Sequence, residues 1–228
     1  MLSSVLGLWP HGCALAPLPL TLQVLGASLL AQLLVGGALG WLLARRRFLG
    51  RGVLDALVML PLVFPPIVLG YGLLLLLGRN GWLTQWLPAG LRPDIVFTPT
   101  GLVVAAFVAG LPLMVKPVQA AFAEVPLAMR EAAATLRHGP WRTFVRVELP
   151  LARRGLVVGM VLAAGRALGE VGLSLMLGGN LIGRTETLSL ALYNQVLDSN
   201  FGCANALSLL LAGFAALAFF FLRRMGAL

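Results

Sequence analysis

Five runs of this chain, at about 20–44, 53–77, 100–121, 155–178 and 203–222, are predominantly apolar over the length of a membrane crossing. A helix needs about 20 such residues to traverse a hydrocarbon core of roughly 30 Å. The 228 residues are 59% hydrophobic and only 11% charged, with a mean hydropathy of +0.94. A soluble fold of this size has too little interior for that much apolar surface. The sequence therefore predicts an all-α, polytopic membrane bundle of five transmembrane helices. A sixth is expected if a short helix near residues 3–9 extends across.

The net charge of +9 would suit nucleic acid, but its distribution argues otherwise. Arg45, Arg46, Arg47 and Arg51 fill the first connection, and Arg130, Arg137, Arg142, Arg146, Arg153 and Arg154 fill the third. Arg223 and Arg224 follow the last run, while the opposite side carries Arg79, Arg92 and Arg184. This is the positive-inside bias. It predicts an outer amino terminus, a cytoplasmic third connection and a cytoplasmic carboxyl terminus. The basic excess then reads as topology and contact with anionic lipid, with no nucleic-acid partner.

Residues 1–19 read as an outer segment. They hold Pro10, Pro17 and Pro19 but no Lys or Arg, so no signal peptide is expected there. Cys13 and Cys203 both fall towards the outer side, where a disulfide is permitted. The plainer expectation is two unpaired thiols. With His11 and His138 they form no metal-ligand pattern. No catalytic motif and no phosphate-binding glycine loop occurs, so the chain is expected to be no enzyme and to hold no cofactor.

The third connection, about 124–154, is the one long polar island. Residues 127–137 are rich in helix formers, with Ala132, Ala133 and Ala134 in a row. His138-Gly139-Pro140 should break that helix, because proline disfavours helix in the residue before it. A second short helix is expected over 141–147, ending at Leu149-Pro150. By itself this is a helical hairpin lying on the membrane's inner face.

The stretch resembles the cytoplasmic signature of ATP-binding-cassette importer permeases, E-A-A-x3-G-x9-I-x-L-P. Glu131, Ala132 and Ala133 match its start, and Val147, Leu149 and Pro150 match its end at the family spacing. Arg137 stands where the family has its central glycine, and Gly139 follows two residues later as a substitute turn residue. The resemblance implies that Glu131, Ala132, Ala133, Gly139, Val147, Leu149 and Pro150 form the element that docks on an ATPase subunit.

Two further features interrupt the apolar runs. The second run carries Pro61, Pro65 and Pro66, each of which removes a backbone donor. In lipid the freed carbonyls need a neighbouring helix or a wet cavity. These prolines are read as a kink, structural or gate-lining. The fourth run carries Arg166 and Glu170 one helical turn apart, so they can pair. A charge at mid-membrane costs about 2.5–3.5 kcal/mol on insertion scales, so the pair should face the interior or a polar path. Gly36/Gly40, Gly155/Gly159 and Gly165/Gly169 give small-residue faces for close helix approach.

After the fourth run, Asn180 to Glu186 form a polar turn, and Leu188 starts a helix too short to cross. Arg184 and Glu186 are candidates for docking an outer partner. The segments LPLVFPPIVLGYGLLLLLGRNG, GRALGEVG and GNLIGRTETLSLALYNQ are similar to molybdate permease subunits of oxyanion importers, across about residues 20–222. GRALGEVG is equally similar to sulfate and tungstate permeases. The resemblance implies a type I importer permease working as a homodimer with two ATP-binding subunits and a periplasmic or extracellular oxyanion-binding protein. ATP and magnesium would reside on the partner subunits. Residues 223–228 would be a cytoplasmic tail. A secondary transporter driven by an ion gradient and a non-transporting scaffold are the alternatives from other classes.

Overall fold

The computed structural model describes residues 13, 15–86, 88, 92, 94–135 and 139–224. The helix expected near 3–9, Arg137, His138 and residues 225–228 lie outside them. Among the described residues every regular element is helical. The helices are α1 (Leu18–Arg45), α2 (Arg51–Val63), α3 (Pro66–Leu77), α4 (Pro99–Glu124), α5 (Leu127–Thr135), α6 (Pro140–Leu168), α7 (Gly172–Gly178), α8 (Leu188–Leu197) and α9 (Phe201–Arg224). Helices α1, α4 and α9 are long and apolar enough to cross a membrane alone, and α6 with α7, bent by 64° at their junction, has the length and composition of a fourth span or a re-entrant loop.

The run at 53–77 is not one helix. It divides at Phe64 and Pro65, whose backbones are extended (ψ 144° and 131°), and α3 restarts with Pro66 in its first turn. Prolines 61, 65 and 66 supply no N–H to the carbonyls of Leu57, Pro61 and Leu62. Pro66 also drives Pro65 out of the helical region, as Pro65 does Phe64.

Helix α4 is the central post. Met114, Val118 and Phe122 are buried along it, and it packs most extensively on α6 and α1. Glycines make that closeness possible. A Cβ on Gly36 would stand 2.8 Å from the Met114 side chain, and one on Gly40 would stand 2.7 Å from that of Val118. On the other side a Cβ on Gly155 would meet Ala121 at 2.3 Å, and one on Gly159 the Met114 carbonyl at 2.9 Å. The third small-residue pair differs, since Gly165 faces open space. Between α1 and α4, the buried Gln32 amide fills the notch left by Gly110 and donates to the Ala106 carbonyl at 2.9 Å.

Two expectations are corrected. The helix after Pro140 does not end at Leu149-Pro150. It runs on to Leu168, through a π turn over Phe144–Glu148 in which the Leu149 N–H bonds the Phe144 carbonyl. Pro150 leaves the Arg146 carbonyl without its usual donor, and the widened turn absorbs that loss. The cysteines are also paired: Cys13 and Cys203 form a disulfide across a Cα separation of 5.4 Å, tying the segment before α1 to the start of α9.

At the far end from the polar island, α8 is buried through Leu188, Leu190 and Ala191, and Thr187 caps it by accepting from the Leu190 N–H. The Leu188 N–H donates to Thr21 of α1 at 2.9 Å. This short helix is clamped into the bundle as a rim, as its length leads one to expect.

Candidate functional site

The polar island folds as α5 followed by the first turns of α6. On α5, Glu131 and Ala132 are exposed while Ala133 is buried. Leu127 is 62% exposed, Met129 53%, and Trp141 at the start of α6 74%. A charged loop that shows this much apolar surface beside Glu131 has the character of a docking face. Gly139 is extended (φ −66°, ψ 162°) and caps α6, so the turn makes no use of glycine's left-handed freedom at that position. Val147 and Leu149 turn half inward, and Pro150 is exposed.

The inner side of the hairpin is held by aromatic and ionic contacts. Phe144 lies against Trp41 of α1 at 5.8 Å, edge-on, and stacks with Phe122 of α4 at 6.0 Å and with Trp141 at 5.7 Å. One turn on, Glu148 is buried. Its Oε2 accepts from Trp41 Nε1 at 3.0 Å. Its Oε1 pairs with Arg130 Nε at 2.9 Å and lies 3.5 Å from Arg45 Nη2. Sequence reasoning misses Glu148, although it sits between two signature positions. The available signal is its helical register with Phe144, which puts both on the inward face.

At the other end of α6 lies the break. Arg166 and Glu170 form the expected ion pair, with Glu170 almost fully buried and Arg166 partly exposed. Glu170 also caps α7, since its Oε1 accepts the Leu173 N–H at 2.7 Å. It lines a small closed pocket with Thr21, Ser174 and Thr187. The two interrupted runs also meet here. A Cβ on Gly172 would stand 2.8 Å from Pro66, and one on Gly70 would stand 2.8 Å from Met176. Pro66 is thus brought beside the Arg166–Glu170 break, with Pro65 next to it, while Pro61 stays inside α2; Pro65 and Pro66 are exposed on this chain.

Sequence reasoning also misses a second ion pair between helices. Lys116 of α4 reaches both carboxylate oxygens of Asp55 on α2, at 2.6 and 2.8 Å. Two charges inside otherwise apolar runs are signal enough. In the turn after α7, Arg184 is exposed. It lines a cavity of about 510 Å³ with Arg79, Asp94 and Phe97. Glu186 is half-buried instead, accepting from Asn194 Nδ2 at 2.7 Å. The two outer candidates therefore do different things in this chain.

This arrangement combines an exposed apolar face on the polar island, one continuous helix and a helix break at Glu170. Residues 36–227 match the family of binding-protein-dependent transport system inner membrane components. The chain belongs to this family. Its members are transport permease subunits, which makes the chain a multi-pass protein of the inner membrane. It is 42% identical over 185 residues to the molybdenum transport system permease protein ModB of Azotobacter vinelandii, covering 80% of each protein. It is 34% identical over 197 residues to the sulfate transport system permease protein CysW of Synechocystis, covering 85% of this chain and 71% of that one. The fold matches that of a bacterial ABC transporter involved in import of the polysaccharide alginate, with a TM-score of 0.71 at 19% identity. That match covers 95% of this chain and 79% of the other.

Proposed function

We propose that this chain is the permease of an ATP-driven molybdate importer, acting as a homodimer. Each copy would receive one ATPase subunit on the face formed by Leu127, Met129, Glu131, Ala132 and Trp141. A binding protein would deliver the anion at the outer rim, where Arg184 is available to it. In this reading the amino terminus is outside and the carboxyl terminus cytoplasmic. ATP and its magnesium belong to the partner subunits, and no chemistry is done here.

The observation that carries the mechanism is the continuity of α6. One helix of 29 residues by its bounds, Pro140–Leu168, joins the docking face to the break at Glu170. At 1.5 Å per residue that is a rod of roughly 43 Å. Closure of the ATPase pair would tilt the rod and shift the α6/α7 break against the Pro65–Pro66 break. The exposed, donor-poor backbone at Phe64–Pro66 also supports a second copy: such backbone is tolerated at membrane depth only against protein or a wet path. The path need not hold the anion tightly, since conduction requires release.

Molybdate is favoured over sulfate by the 42% identity to the molybdenum permease against 34% to the sulfate permease CysW. The experiment is ATP hydrolysis in proteoliposomes containing this chain, its ATPase and its binding protein. Molybdate should stimulate at far lower concentration than sulfate. Stimulation by sulfate first would keep the importer and change the cargo. Failure of any ATPase to associate would return the chain to the secondary-transporter or scaffold readings.

A further inference from the structure

The buried Glu148 carboxylate stands at a junction of three elements. Its backbone belongs to the π turn of α6. Trp41 and Arg45 come from the last turns of α1, and Arg130 comes from α5, next to the docking residue Glu131. Oε2 accepts the indole N–H and Oε1 pairs closely with Arg130, while Arg45 Nη2 stands 3.5 Å from Oε1 as an ion pair without a hydrogen bond. The side chains differ in access: Glu148 is 6% exposed, Arg45 10% and Arg130 38%. A buried carboxylate between two cations has rigid geometry, because displacing either partner leaves charge uncompensated in a low-dielectric site. Arg130 is thus the arm open to the docking face, and Arg45 with Trp41 is the fixed anchor on the first span.

We propose that Glu148 is a positioning residue that makes α1 move with the α5–α6 hairpin, so that ATPase closure reaches the first span as well as the rod. The proposal rests on the importer reading above. Helix α5 packs chiefly on the π turn and the start of α6. The α1 end faces that turn through Trp41, on Phe144 and Glu148. Glu148 is where both meet. The carboxylate converts a push on Arg130 into a pull on Arg45. Without it the two guanidinium groups repel, and α1 is held to the hairpin by the Trp41–Phe144 contact alone.

The test uses the complete transporter in proteoliposomes and reads two quantities: ATPase subunit retained on purification, and the ratio of hydrolysis with molybdate-loaded binding protein to hydrolysis without it. Glu148→Gln keeps the size and an acceptor for Trp41 but removes the ion pairs. It is expected to retain the ATPase while the ratio falls about tenfold, within the usual range of coupling energies. Arg130→Gln should lower the ratio in the same direction. The double variant should be no worse than Glu148→Gln alone, since both remove one linkage. A Glu148→Gln transporter that assembles and keeps the parent's ratio overturns the proposal and leaves the importer intact. Fully additive losses overturn it too. If Glu148→Gln fails to assemble, Arg130→Gln, on a more exposed side chain, decides by the same ratio. If the unmodified chain retains no ATPase, the importer reading fails and takes this proposal with it.

Discussion

Proline meets opposite fates in two regions of this molecule. At Pro150 the helix continues: one π turn absorbs the missing donor, and α6 stays a single rod into the membrane. Helix α4 likewise runs unbroken through Pro112 and Pro117. At Pro65-Pro66 the helix stops, the backbone extends, and a new helix starts. The difference is adjacency. A lone proline costs one hydrogen bond and crowds one predecessor, which the flanking turns absorb, whereas two in succession remove adjacent donors and crowd two successive residues. The chain is therefore continuous from the polar island into α6 and broken at Phe64–Pro66, which is the pattern the proposed mechanism needs.

The comparison can be broken hardest at Glu170. Glu170→Ala removes both the partner of Arg166 and the cap of α7. Losing one member of such a buried pair costs about 3–5 kcal/mol, so the amount of folded protein in the membrane should collapse, as read by fluorescence-detected size exclusion. Glu170→Gln keeps an acceptor for Leu173 and should lose less. Equal yields for all three proteins would mean that water already compensates Arg166.

A smaller effect on folding, but a large one on transport, is expected from Pro65→Ala with Pro66→Ala. Restored donors should let α2 and α3 fuse. Uptake should fall by about tenfold or more with membrane abundance unchanged, a difference near 1.4 kcal/mol on the rate-limiting step. Unchanged uptake would reduce the break to a packing feature. The stiff region is probed more gently by Gly155→Val. The added side chain meets Ala121 and the Pro117 carbonyl, and overpacking of this kind costs about 1–3 kcal/mol. The expected readout is a lower midpoint of thermal aggregation with residual transport. An unshifted midpoint would show that α4 and α6 can separate without cost.

Much of this fold is legible in the chain. The apolar runs at 20–44, 100–121, 155–178 and 203–222 coincide with helices of crossing length or with the bent pair, and the Pro65-Pro66 pair marks the second run as irregular. Arg166 and Glu170 pair as their spacing implies. Three things are not legible, each for a physical reason. The π turn at Phe144–Glu148 has no sequence pattern of its own, so Pro150 reads as a stop. The Cys13–Cys203 bond depends on where two segments 190 residues apart dock, which hydropathy does not encode. Glu148 looks like a surface charge because the arginines that neutralise it come from other helices. Lys116 and Asp55, by contrast, are visible as charges inside apolar runs.

The central claim is that α6 acts as one rigid lever. The most direct measurement compares Leu151→Gly with Arg153→Gly, combined in one chain, against the same two positions changed to alanine. Both side chains are exposed, so packing is spared. Each glycine weakens the helix by about 1 kcal/mol relative to alanine. Hydrolysis and molybdate uptake are measured together in proteoliposomes with the ATPase and binding protein. The lever account expects the alanine chain to couple as the parent does, and the glycine chain to retain its ATPase while uptake per ATP falls sharply. Equal uptake per ATP in both chains would contradict the lever and move the transmission route to another helix.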